Sequence, residues 1–132
     1  MTTQAGPFDI GTTRLVINRD SEATPVAVTD TFFEDLDTQF EGFAGYVLIS
    51  RFEFDADWPT WEIHPHGDEV VYLLEGDTDF VLETDEGEKT VRVSKPGEYV
   101  VVPRGTWHTA RPRKPTSLLF VTPGEGTRNR DV

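Results

Sequence analysis

The sequence has no cysteine, a single methionine and only half as many basic as acidic residues. Without cysteine, disulfides, thiolate metal ligands and a cysteine nucleophile are all excluded. Long apolar runs are also missing, and no stretch approaches the roughly 20 residues that a helix needs to cross a bilayer. Any bound metal must therefore be held by nitrogen and oxygen donors.

Positive charge is scarce, since 12 basic residues face 24 acidic ones and the net charge is −12. Proteins that bind nucleic acids present a cationic surface to the phosphates. Half of the basic residues follow position 103, and we interpret them as a solvated face that balances acidic surface elsewhere. We therefore expect no nucleic-acid partner and no membrane partner. The first ten residues lack the basic flank and apolar segment of a secretion signal, so a cytoplasmic location is expected.

The length of 132 residues is typical of one domain. Hydrophobic residues make up 36% and charged residues 27%, as in soluble globular proteins that bury one core. Glycine and proline are common near both ends. We expect a flexible N-terminal arm at 1–11, a single domain at 12–122 and a frayed C-terminal tail at 123–132.

One short helix is predicted near the N-terminus. Thr31 and Glu34 have the spacing of a capping box. Phe32, Leu36 and Phe40 then recur at roughly helical intervals, which predicts an amphipathic helix over 31–40.

The rest of the chain has the pattern of many short strands. Turn residues such as glycine, proline and aspartate interrupt it every eight to twelve positions. This pattern predicts an all-β antiparallel sandwich or barrel. The predicted strands cover residues 12–18, 26–29, 46–54, 60–66, 69–74, 78–83, 89–93, 98–102, 106–111 and 117–122.

Two of the three histidines lie in one stretch, Trp61-Glu-Ile-His-Pro-His-Gly-Asp-Glu69. Side chains alternate along a strand, so Glu62, His64 and His66 are expected on one face, about 6.6 Å apart. Because a metal–nitrogen bond is only about 2.0–2.1 Å long, one ion can take two neighbours of this trio. His64 belongs to either pair. The turn before Glu69 lets this carboxylate return to the same ion.

The third histidine ends a second patterned stretch, Gly97-Glu-Tyr-Val-Val-Val-Pro103-Arg-Gly105-Thr-Trp-His108. The Pro-x-Gly sequence predicts a tight turn. The strand after this turn is expected to deliver His108 to the interior of the sheet structure.

These two stretches resemble the motifs of the cupin superfamily, in particular its small single-domain members. The first cupin motif has His-x-His, then a Glu, then six residues and a Gly; its end matches Glu69 to Gly76. The second has Gly, five residues, Pro-x-Gly, two residues and His, and it matches Gly97 to His108 without a gap. The resemblance covers about residues 43 to 122. It implies a double-stranded β-helix, or jelly-roll barrel, with a metal-holding pocket in its mouth.

The sequence departs from the first motif in its spacing. Only two residues separate His66 from Glu69, whereas four separate His64 from Glu69, as the family pattern requires. Glu62 then stands where the first histidine is expected. The resemblance therefore implies a metal held by Glu62, His64, Glu69 and His108, with His66 in place of Glu62 as the alternative. A second departure is Pro112 where the motif often has Asn.

Four further residues are candidates for substrate binding: His66, Trp61, Arg51 and Tyr46. Each also has a simpler interpretation. Trp61 would serve equally as core packing or as part of an aromatic lid, and Arg51 and Tyr46 as residues of the surface or rim.

Two histidines with one or two carboxylates suit Fe, Mn, Ni and Zn about equally. With the resemblance, this predicts a small-molecule metalloenzyme of dioxygenase-like type. A non-catalytic cupin that binds or senses a small ligand is the first alternative. A sugar or hydroxyketone isomerase is the second, although it would need a histidine base, for which only His66 remains. A homodimer that covers strand edges is expected, with the N-terminal strand available for this.

Overall fold

Strands make up most of the computed structural model, which describes residues 5–132. Within these residues there are nine strands, one α-helix (α1, Phe32–Gln39) and one 3-10 helix (Glu41–Phe43). The strands are β1 (Thr13–Ile17), β2 (Ala23–Ala27), β3 (Val47–Phe54), β4 (Thr60–Ile63), β5 (Glu69–Thr84), β6 (Gly87–Val93), β7 (Tyr99–Val102), β8 (His108–Thr122) and β9 (Arg128–Asp131). The predicted all-β class with one short N-terminal helix is confirmed.

The two long strands, β5 and β8, form the centre of the structure and pair along most of their length. One end of β8 also pairs with β3, which continues through β1 to β2. The other end meets β4, which pairs in turn with β9, while β6 and β7 pair with β5. Every pairing is antiparallel, and the arrangement is the predicted double-stranded β-helix.

The predicted breaks within β5 and β8 are bends and not strand ends. The register between β5 and β8 shifts three times between Leu73 and Thr78. Gly76, at the middle of this region, has φ of 120°, and a Cβ there would lie 2.6 Å from Cα of Thr116. A bulge of this kind bends a strand without ending it. The turn residues that suggested separate strands thus mark the place where each long strand curves.

The C-terminal residues differ from the expected frayed tail, because Arg128–Asp131 forms β9 and pairs with β4. All four residues of β9 are exposed and polar, so the sequence has no apolar alternation there to indicate a strand. The predicted arm at 1–11 lies partly outside the described residues. The domain limits 12–122 stay a prediction.

Two apolar clusters form the interior. The larger cluster lies within the barrel and consists of Val71, Leu73, Phe80, Leu82, Val93, Val100, Val102, Ala110, Leu118 and Phe120. The smaller one packs helix α1 against the N-terminal strands and consists of Val16, Phe32, Leu36, Phe43 and Leu48. Among residues 5–132, no helix has both the length and the apolar character needed to cross a bilayer.

Candidate metal centre

Three parts of the chain bring four donor side chains together. Glu62 on β4 lies opposite His108, the first residue of β8. His64 directly follows Ile63, the last residue of β4. Glu69 is the first residue of β5. Strand pairing across the barrel therefore joins residues that lie more than forty positions apart.

The donor atoms converge on one point. A carboxylate oxygen of Glu62 and imidazole nitrogens of His64 and His108 all lie within 4.8 Å of one another. Glu69 is adjacent to both histidines: its Oε2 lies 3.2 Å from Nε2 of His64 and its Oε1 lies 3.2 Å from Nε2 of His108. His64, Glu69 and His108 are 5%, 2% and 0% exposed, so this convergence is inside the protein.

Hydrogen bonds on the far side of each ring determine which nitrogen carries the proton. Nδ1 of His108 lies 3.0 Å from the carbonyl oxygen of Thr106, which can only accept, so this nitrogen is protonated. The hydroxyl of Thr127 donates its one hydrogen to the carbonyl of Gly124 at 2.9 Å. Its oxygen therefore accepts from Nδ1 of His64, also at 2.9 Å. When the imidazoles are neutral, the Nε2 lone pair of each therefore faces the carboxylates.

These inward-facing acceptors have no donor among the described residues. Nε2 of His64, Nε2 of His108 and Oε1 of Glu69 are buried and lack a hydrogen-bond partner. Only the other oxygen of Glu69 is satisfied, by the hydroxyl of Thr122 at 2.6 Å. Buried lone pairs that face one another are unfavourable unless a cation lies between them. Two imidazole nitrogens with carboxylate oxygens are a donor set that transition-metal ions accept, so the residues present fit a metal.

Protons compete for the same position. Burial raises the pKa of Glu62, and the negative charge of Glu69 raises it further. Burial also tends to raise the pKa of Glu69. Hydrogen bonds from Nε2–H of His108 and His64, and the positive charge that these rings carry when protonated, outweigh burial and bring the pKa to about 2. Burial tends to lower the pKa of His108, yet Glu69 and Glu62 raise it overall. The carboxylates thus favour positive charge at this point, whether it is carried by protons or by a metal ion.

The second patterned stretch positions the site through its backbone. The amide of Gly105 donates to the carbonyl of His64 at 3.0 Å, and the amide of Arg104 donates to Oδ1 of Asp68 at 2.7 Å. Gly105 has φ of 70°, a conformation that favours glycine. The Pro-x-Gly turn therefore joins the loop after β4 to the strand that begins at His108.

The alternative ligand His66 lies outside the donor group. β4 ends at Ile63, and Pro65, which has no amide hydrogen, begins the turn that follows. The alternation that would place Glu62, His64 and His66 on one face therefore stops before His66. Its side chain is 54% exposed, and Nε2 lies 3.9 Å from Glu125. The geometry favours Glu62 over His66 as a donor.

The other three substrate-binding candidates have structural partners of their own. Trp61 is 7% exposed and packs against the guanidinium of Arg130. Arg51 donates to the hydroxyl of Ser117 at 2.8 Å. Tyr46 packs against Phe40, with ring centroids 5.5 Å apart. None of these three, nor His66, lines the cavity beside the donors.

A cavity of about 600 Å³ reaches the donor group, and its walls were not foreseen as a site. Glu62, His64 and Glu69 line one part of it, and aromatic side chains such as Trp58 line another. Thr122 and Thr127, which hold Glu69 and His64, also line it. Strand alternation is the one sequence pattern that could have indicated Thr122. No local sequence pattern indicates Thr127.

Comparison with known proteins agrees with this architecture. The sequence model of the cupin domain matches residues 50–122, more than half of the chain. The chain belongs to the cupin family. No curated protein matches this cupin significantly by sequence.

Solved structures share the fold of this cupin at low sequence identity. A cupin-2 domain protein from Shewanella frigidimarina is 18% identical with a TM-score of 0.50, over 58% of this chain and 70% of that one. Oxalate oxidase in complex with the substrate analogue glycolate is 20% identical with a TM-score of 0.52, over 62% and 45%. Peruvianin-I, a cysteine peptidase from Thevetia peruviana latex, is 15% identical with a TM-score of 0.54, over 65% and 56%.

These similarities establish the fold alone. The cupin spans less than half of the oxalate oxidase chain and little more than half of peruvianin-I. An oxidase and a peptidase share the architecture, so the fold does not determine the reaction. Because this cupin has no cysteine, it also lacks the nucleophile of a cysteine peptidase. Its function must be argued from its own side chains.

Proposed function

We propose that this cupin binds one divalent transition-metal ion through Glu62, His64, Glu69 and His108 and acts on a small organic molecule in a dioxygenase-like reaction. The observation that carries the proposal is the set of buried lone pairs. Nε2 of both histidines and Oε1 of Glu69 converge without a donor, and each ring is held with this nitrogen facing inward. Fe, Mn, Ni and Zn all suit such donors.

The residues around the donors have different roles. Thr127 and the carbonyl of Thr106 hold the two imidazoles in orientation, and Thr122 holds Glu69. The cavity provides space for a substrate beside the donors, and aromatic side chains form part of its wall. A metal ion bound there would supply a Lewis acid or, if redox-active, a binding position for oxygen.

The metal part of the proposal is tested by analysis of protein purified without chelators and then supplied with Fe(II), Mn(II), Ni(II) and Zn(II) in turn. We expect about one ion per chain for at least one metal. Uptake below about 0.2 ion per chain for all four would refute the site.

The reaction is tested by oxygen consumption of the Fe(II)-loaded protein with diketones, catechols and flavonoids. Oxalate is included because oxalate oxidase shares the fold. We expect turnover of at least one organic substrate that depends on the metal. If none is turned over while compounds still raise the melting temperature, the dioxygenase-like reaction is refuted.

Failure of the reaction test would favour the second candidate, a cupin that binds or senses a small ligand. The observation in its favour is that, within the described part of the chain, Asp37 and Glu53 are the titratable residues that line the cavity besides the proposed ligands. Both are exposed, so neither is a buried acid or base beside the donors. The isomerase alternative lacks support, because His66 does not line the cavity.

A homodimer and a cytoplasmic location stay predictions of the sequence. Strand β1, which was expected to cover a partner's edge, pairs with β2 and β3 of its own chain. β7 pairs with β5 alone and leaves one edge free of strand pairing among the described residues. Light scattering coupled to size-exclusion chromatography is expected to give twice the monomer mass; the monomer mass would contradict the dimer.

A further inference from the structure

The cavity beside the donors is lined by acidic side chains and by no arginine or lysine among residues 5–132. Glu62 and Glu69 lie at the donor group, and Asp37 on α1 and Glu53 on β3 lie elsewhere on the lining. A site built for a carboxylate or phosphate would present arginine or lysine to it. The lining of this cavity presents neither.

An aromatic wall accounts for much of the remaining lining. Trp58 packs against Phe54 and Phe120, with ring centroids 5.6 Å and 5.8 Å apart. Phe52 packs edge-on against Phe120 at 5.7 Å. All four line the cavity. Rings held at these angles offer apolar faces and edges against which an aromatic ligand can pack.

Two arginines lie close behind this wall, and neither lines the cavity. The guanidinium of Arg14 lies 4.5 Å from the ring centroid of Phe32 and 4.7 Å from that of Phe52. Its side chain is buried and does not line the cavity. Arg51 pairs with Glu53 and donates to Ser117. Neither arginine is placed to meet an anion inside the cavity.

The donor group is neutral overall once a divalent ion occupies it, because the two charges of the ion are balanced by Glu62 and Glu69. A charged ligand that enters the cavity loses part of its hydration, and the described part of the cavity wall offers no arginine or lysine to compensate this loss. The exposed carboxylate of Asp37 opposes an anion further, whereas the charge of Glu53 is compensated by Arg51. An uncharged ligand meets neither penalty.

We propose that the cavity selects an uncharged aromatic molecule and discriminates against aromatic or small carboxylates. The inference rests on the proposed function, since it names the substrate class for the same site. It depends on the charge and aromatic character of the cavity wall, however, and these features are present with or without a bound metal.

Three matched probes test the proposal by calorimetry: benzyl alcohol, benzoate and benzylammonium. In the Zn(II)-loaded protein we expect benzyl alcohol to bind at least about tenfold more tightly than benzoate, and more tightly than benzylammonium. Benzoate binding as tightly as benzyl alcohol would overturn the proposal. Benzylammonium binding most tightly would also overturn it, in favour of a site for cations.

The same titrations on metal-free protein separate this proposal from the metal site. If the protein takes up no metal, the proposed function fails, but the preference for benzyl alcohol over benzoate is still expected from the wall alone. If the protein takes up metal and the preference is absent, only the present inference fails.

A pair of charge reversals on α1 shows whether the discrimination is local. Asp37→Lys places a cation at the cavity wall, whereas Glu34→Lys makes the same change in net charge at an exposed position that does not line the cavity. We expect Asp37→Lys to tighten benzoate binding by about fivefold and Glu34→Lys to leave it unchanged. Equal effects, or no effect of Asp37→Lys, would contradict a role for the wall charge.

Discussion

At the residue scale, the proposed metal site depends on the direction of two imidazole lone pairs. His64 and His108 each donate from Nδ1 to an oxygen of the protein, which leaves Nε2 as the inward acceptor. Rotation or tautomerisation of either ring would break that hydrogen bond. Such bonds to the outer nitrogen are the usual means by which proteins orient histidine ligands. Substitution of a residue that orients a donor, such as Thr127, is therefore expected to affect metal binding as substitution of a donor does.

The assignment of Glu62 over His66 leads to the first prediction. Glu62→Gln removes a carboxylate that lies 3.9 Å from Nε2 of both histidines, so we expect metal affinity to fall by more than about 100-fold. His66→Gln, the matched control, alters an exposed side chain and is expected to leave affinity unchanged. Competition with a chromogenic chelator measures both. The reverse outcome would assign the ligand to His66.

A second prediction concerns Thr127. Thr127→Val keeps the shape of the side chain but removes the oxygen that accepts from Nδ1 of His64. We expect metal affinity to fall by about tenfold, the lower end for such contacts, because Thr127 is exposed and water can replace the hydroxyl. Thr127→Ser keeps the oxygen and should bind metal as the wild type does. Equal affinity of the valine and serine variants would show that this hydrogen bond does not orient the ring.

At the element scale, two glycines allow the backbone bends that shape the long strands: one within β5 and one in the turn before β8. Gly76 allows β5 to bulge against β8, and Gly105 allows the turn that precedes His108. Both have positive φ, but only Gly76 is crowded, with Cα of Thr116 2.6 Å from the position of an added Cβ. Around Gly105 the corresponding space is open. Alanine at position 105 therefore tests backbone strain alone, whereas alanine at position 76 tests strain together with steric overlap.

The third prediction follows from this difference. Gly105→Ala should lower the free energy of unfolding by about 1 kcal/mol, the cost of a left-handed conformation for alanine. Gly76→Ala adds a collision with backbone and should cost more than about 3 kcal/mol. Urea denaturation followed by circular dichroism gives both values. Equal costs would mean that β5 and β8 move apart easily at the bulge.

A fourth prediction concerns the turn before β7 and its dependence on pH. The carboxylate of Glu98 accepts from the amides of Ser94 and Lys95, each at 2.9 Å, and these hydrogen bonds lower the pKa of Glu98. A lowered pKa in the folded state means that the carboxylate stabilises the fold above its usual pKa. This contribution is lost as the pH falls through the lowered value.

We therefore expect Glu98→Gln to be less stable than the wild type at neutral pH and equally stable at strongly acidic pH. Denaturation of the two proteins over a range of pH measures the difference. Glu86→Gln, at an exposed position in the β5–β6 turn, is the control for loss of one carboxylate without these two backbone hydrogen bonds. A difference that persists in acid would indicate that the side chain acts by its shape and not by its charge.

At the scale of the whole molecule, the net charge of −12 opposes compaction. Ion pairs such as Arg92 with Asp77, 2.7 Å apart, offset only part of this repulsion. Surface charges are screened as the Debye length falls from about 30 Å at 0.01 M salt to about 3 Å at 1 M. The fifth prediction is that the melting temperature rises with NaCl over this range. A fall would show that the screened ion pairs outweigh the repulsion.

More of the fold than of the site could be predicted from the sequence. The all-β class followed from apolar alternation and turn residues, and the short helix from apolar residues at helical spacing, and both patterns depend on near neighbours. The double-stranded β-helix was implied by the resemblance to cupin motifs. β9 was missed because its exposed residues have no such alternation. The bends in β5 and β8 were interpreted as strand ends, because glycine is common both in turns and in bulges and the sequence alone does not distinguish them.

The sequence by itself determined the inventory of donors and the resemblance to cupin motifs, since both consist of residue types at set spacings along the chain. Only the tertiary structure decided that Glu62 and not His66 approaches His64 and His108, because β4 ends at Ile63 and pairs Glu62 with His108. It also decided the composition of the cavity wall. That wall combines residues from position 33 to position 129, and their proximity arises from strand register, which local sequence does not encode.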